Sequence, residues 1–194
     1  MTIDTAKLTR LGYDTTTPVK TMAALLAYVG KRPQAATMAL AAPMAQIQMT
    51  SKQLAHFVGQ ACHESGFWRY LVEIWGPTAT QKGYEGRKDL GNNQPGDGYK
   101  FRGRGLFETT GRWNYSVLGK AIGLPLDTNP ELLEQPDAAV KSAIYFWNQH
   151  GLSAIADAHD IPTACELITK RVNGGSTGLD DRLMLTQRAF GAMV

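Results

Sequence analysis

Ten glycines fall between Gly66 and Gly111, and no helical periodicity runs through that stretch. Residues without a Cβ favour tight turns over regular elements, and a loop-rich segment this long inside a folded chain is usually functional. Turn signals repeat along it in "WGP", "KGYEG", "GNNQPGDG" and "RGRG". Short strands are expected within "YEGRKDL" and "YKFRGRGLFETT". The flanks read as helices. Residues 21–29 and 34–41 carry helical patterns, the second stopping at Pro43, and Ser51 is placed to cap a helix that runs to Glu64. Helices resume over 111–123, then up to His150, over 160–175 and over 178–193. The expectation is a mainly α (α+β) body with a small β-hairpin region lining a cleft.

The chain of 194 residues is long enough for one catalytic domain with a real core. Residues 1–50 read as an N-terminal helical lobe and 51–194 as the catalytic core. The apolar runs "TMAALLAYVG" and "ATMALAAPMA" are too short to span a bilayer, and no signal peptide fits the start. Formal charge is +3, a mild bias towards anionic partners such as an envelope surface. Basic residues cluster only at "GRKD" and "YKFRGRG", which form no nucleic-acid module. Two cysteines, Cys62 and Cys165, are too few for a disulfide framework and read as small buried hydrophobes. His56, His63, His150 and His159 lack metal-ligand spacing, and no phosphate loop or dinucleotide fingerprint is present, so neither metal nor cofactor is expected.

Glu64, in "ACHESGFW", continues the apolar stripe of Leu54, Phe57, Val58, Ala61 and Cys62. A carboxyl group stripped of solvent favours its protonated form, which suits a general acid working near neutral pH. Phe67 and Trp68 follow as flat walls or as supports of a turn. A glycosidase needs a second carboxylate. Glu73 qualifies if the helix breaks near Gly66, since a continuous helix would aim it away. Glu85, bounded by glycines beside Tyr84, qualifies too, with Arg87 as its expected partner. "GRGLFETTGRWNY" offers Thr110 and Asn114 to sugar hydroxyls or a water, with Thr110 also a candidate helix cap. "RVNGGSTGLDDR" supplies Asn173 and an Asp181–Arg182 pair. Cys62 as an amidase nucleophile is a weaker option, because it lies on the apolar stripe.

Four segments in order, "AHFVGQACHESGFW", "YEGRKDLGNNQPGDGYKFRGRGLFETTGRWNY", "NPELLEQPDAAVKSAIYFW" and "RVNGGSTGLDDR", resemble glycoside hydrolase family 19, in its phage and prophage endolysin branch. The resemblance implies a lysozyme-like helical fold and inverting hydrolysis of β-1,4 bonds in peptidoglycan glycan strands, without cofactor. By position, Glu64 matches the general acid, Thr110 the residue that helps hold the attacking water, and Asn114 and Asn173 sugar contacts. Glu73 and Glu85 both remain as the second carboxylate, with Glu73 ranked first. Tyr84, Glu108 and Arg182 complete the expected substrate contacts; Glu108 stands where the family usually has glutamine. The expected protein is a monomer without stable membrane insertion and, with no signal peptide fitting the start, is held in the host cytoplasm until a holin releases it to the wall.

Overall fold

The computed structural model describes residues 2–193. Helices run in chain order as α1 (Thr5–Arg10), α2 (Pro18–Gly30), α3 (Met38–Met44), α4 (Ser51–Glu64), α5 (Ala79–Lys82), α6 (Asp97–Lys100), α7 (Arg112–Ile122), α8 (Pro136–Gln149), α9 (Leu152–Ala158), α10 (Ile161–Asn173) and α11 (Leu179–Phe190). Among the described residues β structure is limited to three isolated antiparallel bridges, so the fold is mainly helical. The chain divides into two compact units, one of residues 1–69 with 146–194 and one of residues 70–145. The second boundary falls within α8.

In the first unit, α4 packs most extensively on α11. Local chemistry starts α4 one residue earlier than expected: Thr50, not Ser51, is the N-cap, and it exchanges hydrogen bonds with Gln53 in a capping box. Gly59 is what lets α11 approach. A Cβ there would lie 2.8 Å from the Thr186 backbone nitrogen and 3.0 Å from its Cα. Leu54, Phe57, Trp147 and Leu185 fill the core, with Phe57 and Trp147 edge to face at 5.5 Å. Pro43 does not stop the preceding helix but lies inside α3.

The second unit is built on Phe101, Tyr115, Leu118, Leu126 and Leu133. The strand expected within 84–90 does not form: those residues are turns and a 3₁₀ segment, Lys88–Leu90. The strand expected within 99–110 shrinks to a tight antiparallel loop in which Arg104 and Thr109 exchange backbone hydrogen bonds of 3.2 and 2.8 Å. Val72 bridges the same Arg104. Two ion pairs hold the glycine-rich segment. Arg112 grips Asp97 through two bonds, one of them 2.7 Å from Nε, and Arg104 meets Glu134 at 2.7 Å. Burial pushes the Asp97 carboxyl up, but Arg112 and the Gln94 and Asn93 amides outweigh it and hold the group below the usual range.

Candidate functional site

Glu64 is the last residue of α4, and its side chain is 16% exposed. Its Oε1 accepts from Arg182 Nη2 at 2.5 Å. Arg182 is withdrawn from solvent, at 1% exposure. Its Nη1 donates to Gln60 Oε1 at 2.7 Å and its Nε to the Thr177 carbonyl at 3.1 Å. Gln60 in turn donates to Thr169 at 2.9 Å, so α4, α10 and α11 share one buried polar network. All three nitrogens of Arg182 and both ends of the Gln60 amide are matched, which is the condition under which such a network orients a side chain rather than destabilising the core. Oε2 of Glu64 makes no hydrogen bond among the described residues.

The expected pairing of Asp181 with Arg182 is not made. Each reaches α4 separately, with His63 Nδ1 donating to Asp181 Oδ2 at 2.6 Å. Arg182, expected as a substrate contact, lies buried with each of its three nitrogens donating within the protein, an arrangement that fixes Glu64.

Beyond α4 the chain turns with Gly66, Phe67 and Trp68 all at positive φ (55°, 61° and 65°). For the two non-glycine residues this left-handed path costs roughly 1–2 kcal/mol each. It is anchored from below: Trp68 is buried and donates from Nε1 to the Leu26 carbonyl at 2.9 Å, and its backbone nitrogen donates to Ser65 Oγ at 3.1 Å. Trp68 thus supports the turn and is no open wall.

The second unit gathers another set of expected residues. The Glu73 carboxylate accepts from Gln81 Nε2 (3.0 Å), Tyr84 Oη (3.3 Å) and the Gly103 backbone nitrogen (3.2 Å). Gly103 is the meeting point. A Cβ there would lie 3.2 Å from Glu108 Cβ, 3.4 Å from Glu73 Cβ and 3.4 Å from Thr110 Oγ1, so Glu73, Glu108 and Thr110 surround a bare backbone position. Burial raises the Tyr84 hydroxyl above its ordinary value, and the charges of Glu73 and Glu108 push it the same way. The phenol stays a donor to Glu73. Glu108 itself adopts φ 47°, another left-handed non-glycine residue. Thr110 Oγ1 donates to the Glu108 carbonyl at 2.8 Å, and Asn114 Nδ2 to the Thr110 carbonyl at 2.7 Å. Thr110 does not cap α7: Gly111 is the N-cap, and the Arg112 backbone nitrogen donates to Asn92 Oδ1.

Glu85 is placed differently. Its oxygens accept from the backbone nitrogens of Gly96 at 2.7 Å and Gly98 at 2.9 Å, clasping the turn before α6. Arg87 does not pair with it but chelates Asp89 at 2.9 and 2.5 Å, a partner two residues away. Asn173 ends α10 in the first unit, exposed, without a side-chain hydrogen bond among the described residues. Cys62 is fully buried and unpaired, and burial drives its thiol well up, which disables it as a nucleophile.

Gln81 was missed by sequence reasoning. It is 4% exposed, closes a capping box with Thr78, and donates to both Glu73 and the Ile74 carbonyl. The Thr-x-x-Gln spacing of "TATQ" was the available signal. Gln60 carried none, because its partner lies 122 residues away.

A family model described as chitinase class I, glycoside hydrolase family 19, matches residues 10–174. A glycosyl hydrolase family 19 domain-containing protein of Haemophilus influenzae is 31% identical over 161 residues, covering 69% of this chain and 76% of that protein. An endochitinase of Arabidopsis thaliana is 30% identical over 128 residues, covering 66% of this chain. The chain spans only 41% of that plant protein's length, and 53% of an acidic 27 kDa endochitinase of Solanum lycopersicum. Chitinase C from Streptomyces griseus shares the fold at a TM-score of 0.60 and 23% identity, over 88% of this chain and 76% of that one. A bacterial family 19 chitinase does so at 0.57 and 22%, over 86% and 93%.

Proposed function

The chain belongs to glycoside hydrolase family 19, and on that premise we propose that it is an endolysin that hydrolyses β-1,4 bonds in the glycan strands of bacterial peptidoglycan. One observation carries the glycosidase reading: Glu64 is fixed at a helix end by a buried arginine that engages one oxygen, the other having no hydrogen bond among the described residues. A guanidinium only donates. Oε1 must therefore accept, and the proton given to the leaving glycosidic oxygen travels from Oε2.

Glu73 is the second carboxylate in this reading. Support comes from its company around Gly103, where Thr110 offers a hydroxyl to a water and Tyr84 and Gln81 hold the carboxylate in place. Glu85 serves instead as the clasp of the 96–98 turn. Glu73 takes the proton of a water that attacks the anomeric carbon, the bond to the leaving oxygen breaks, and configuration inverts. Asn114 and Asn173 contact sugar. The protein acts as a monomer, and a holin releases it from the host cytoplasm to the wall.

The sequence resemblance to the endolysin branch and the net charge of +3 support peptidoglycan as the substrate. The second reading is a chitinase, favoured by the plant endochitinases and the Streptomyces griseus chitinase C among its relatives. Purified peptidoglycan and colloidal chitin separate the two by the reducing ends released. Glu64→Gln should abolish release on whichever polymer is cleaved; undiminished hydrolysis by that variant would refute the assignment of the acid.

A further inference from the structure

We propose that Arg102 is a specificity-determining residue that binds a carboxylate carried by the glycan, so that a strand bearing anionic substituents is preferred to a neutral one. The inference rests on the glycosidase reading above and refines its substrate.

The second unit contains four arginines, and three of them are ion-paired: Arg87 with Asp89, Arg104 with Glu134 and Arg112 with Asp97. Arg102 pairs with no acid among the described residues. Its guanidinium lies over the Tyr99 ring, 4.2 Å from the centroid, and Nη1 donates to the Tyr99 carbonyl at 3.1 Å. Its Nε is buried without an acceptor. Within this unit, where the other three arginines are neutralised, this cation is left unmatched on an aromatic face.

That face is joined to the candidate site. Tyr99 is 53% exposed, and Trp75 stands edge-on to it at 5.1 Å. Trp75 also leans against Tyr84 at 6.4 Å, and Tyr84 donates to Glu73. Gly103, which donates to the Glu73 carboxylate, is the residue after Arg102. An unbroken run of rings therefore leads from Glu73 to the unpaired guanidinium. Pyranose rings lay their apolar C–H faces on such rings, and a guanidinium stacked on an aromatic keeps its edge free for a planar carboxylate. Chitin offers hydroxyl and acetamide groups only. Peptidoglycan adds the free carboxylates of its stem peptides, and of any lactyl group that carries no peptide, so an unmatched arginine beside the run discriminates between the two polymers.

The test compares wild type, Arg102→Gln and Arg102→Lys on three substrates: native sacculi, sacculi whose carboxylates have been converted to neutral amides, and chito-oligosaccharides. Loss of one charge-assisted contact predicts that kcat/KM of the wild type falls about tenfold when the carboxylates are blocked. Arg102→Gln should lower kcat/KM on native sacculi by about tenfold more than on the neutral substrates, with Arg102→Lys recovering part of the difference. Equal losses on all three substrates, no loss on any, or a wild type indifferent to amidation would overturn the inference and leave the glycosidase reading standing. A wild type inactive on every glycan would overturn both.

Discussion

His56 lies in the middle of α4, fully buried, and neither ring nitrogen has a hydrogen-bond partner. Burial, with a smaller contribution from Lys52 one turn earlier, lowers its value from 6.5 to about 4. The ring is thus neutral in the folded protein at pH values where the unfolded chain already takes up a proton. Above pH 6.5 the residue contributes no pH dependence; from 6.5 down to about 4 the unfolded state gains the proton alone and stability is lost. The gap between the two values corresponds to about 3 kcal/mol, at roughly 1.4 kcal/mol per pH unit. His56→Leu removes the titration while keeping an apolar side chain of similar volume. Urea unfolding followed by tryptophan fluorescence at pH 7.5, 5.5 and 4 should show the two proteins diverging as pH falls. Carboxylates titrate in both, so the difference isolates His56. It should grow in favour of the variant by about 3 kcal/mol across that range. Parallel pH profiles would refute the claim that an unpartnered neutral histidine weakens α4 in acid.

Four further variants probe contacts described above. Glu73→Gln should lower kcat at least about a hundredfold, as expected for a general base, and should also lower the thermal midpoint, because one of its two accepting oxygens becomes a donor. Glu85→Gln should lower the midpoint for the same reason, by loosening the Gly96–Gly98 clasp, yet spare most of kcat; initial rates and thermal melts on both variants check the division. Gly59→Ala, which at an ordinary helix position stabilises by about 1 kcal/mol, should destabilise by roughly 1–3 kcal/mol, since the new Cβ meets Thr186 backbone that cannot swing aside; urea midpoints read the sign. Asp97→Asn leaves Arg112 without its acid and should cost about 1–3 kcal/mol at pH 7. Because the folded carboxyl sits below its unfolded value, that contribution is present above about pH 4 and fades as pH falls through the folded value, so wild type and variant should converge in acid denaturation.

Much of the helical frame was legible because its signals are local. The Gly123 and Gly174 terminators of α7 and α10 and the stripe leading to Glu64 all depend on neighbours a few residues apart. The glycine-rich segment was legible as a special region but not in its form. Strand propensity in "YEGRKDL" lost to side chains that bond nearby backbone and acids: Glu85 to two glycine amides, and Arg87 to Asp89. The contacts of Arg182 were illegible for the opposite reason. Its partners Glu64 and Gln60 lie 118 and 122 residues away, and no spacing rule connects residues that far apart.

That separation has a consequence for how the protein is made. During synthesis Glu64 emerges more than a hundred residues before Arg182, so a partly translated chain contains the carboxylate but not the clamp that aims it. Long-range contacts of this kind form late, after the loop between them has closed. Orientation of the acid is therefore a property of the finished tertiary structure, and a chain interrupted before α11 would carry the sequence "HES" without the geometry that makes it useful.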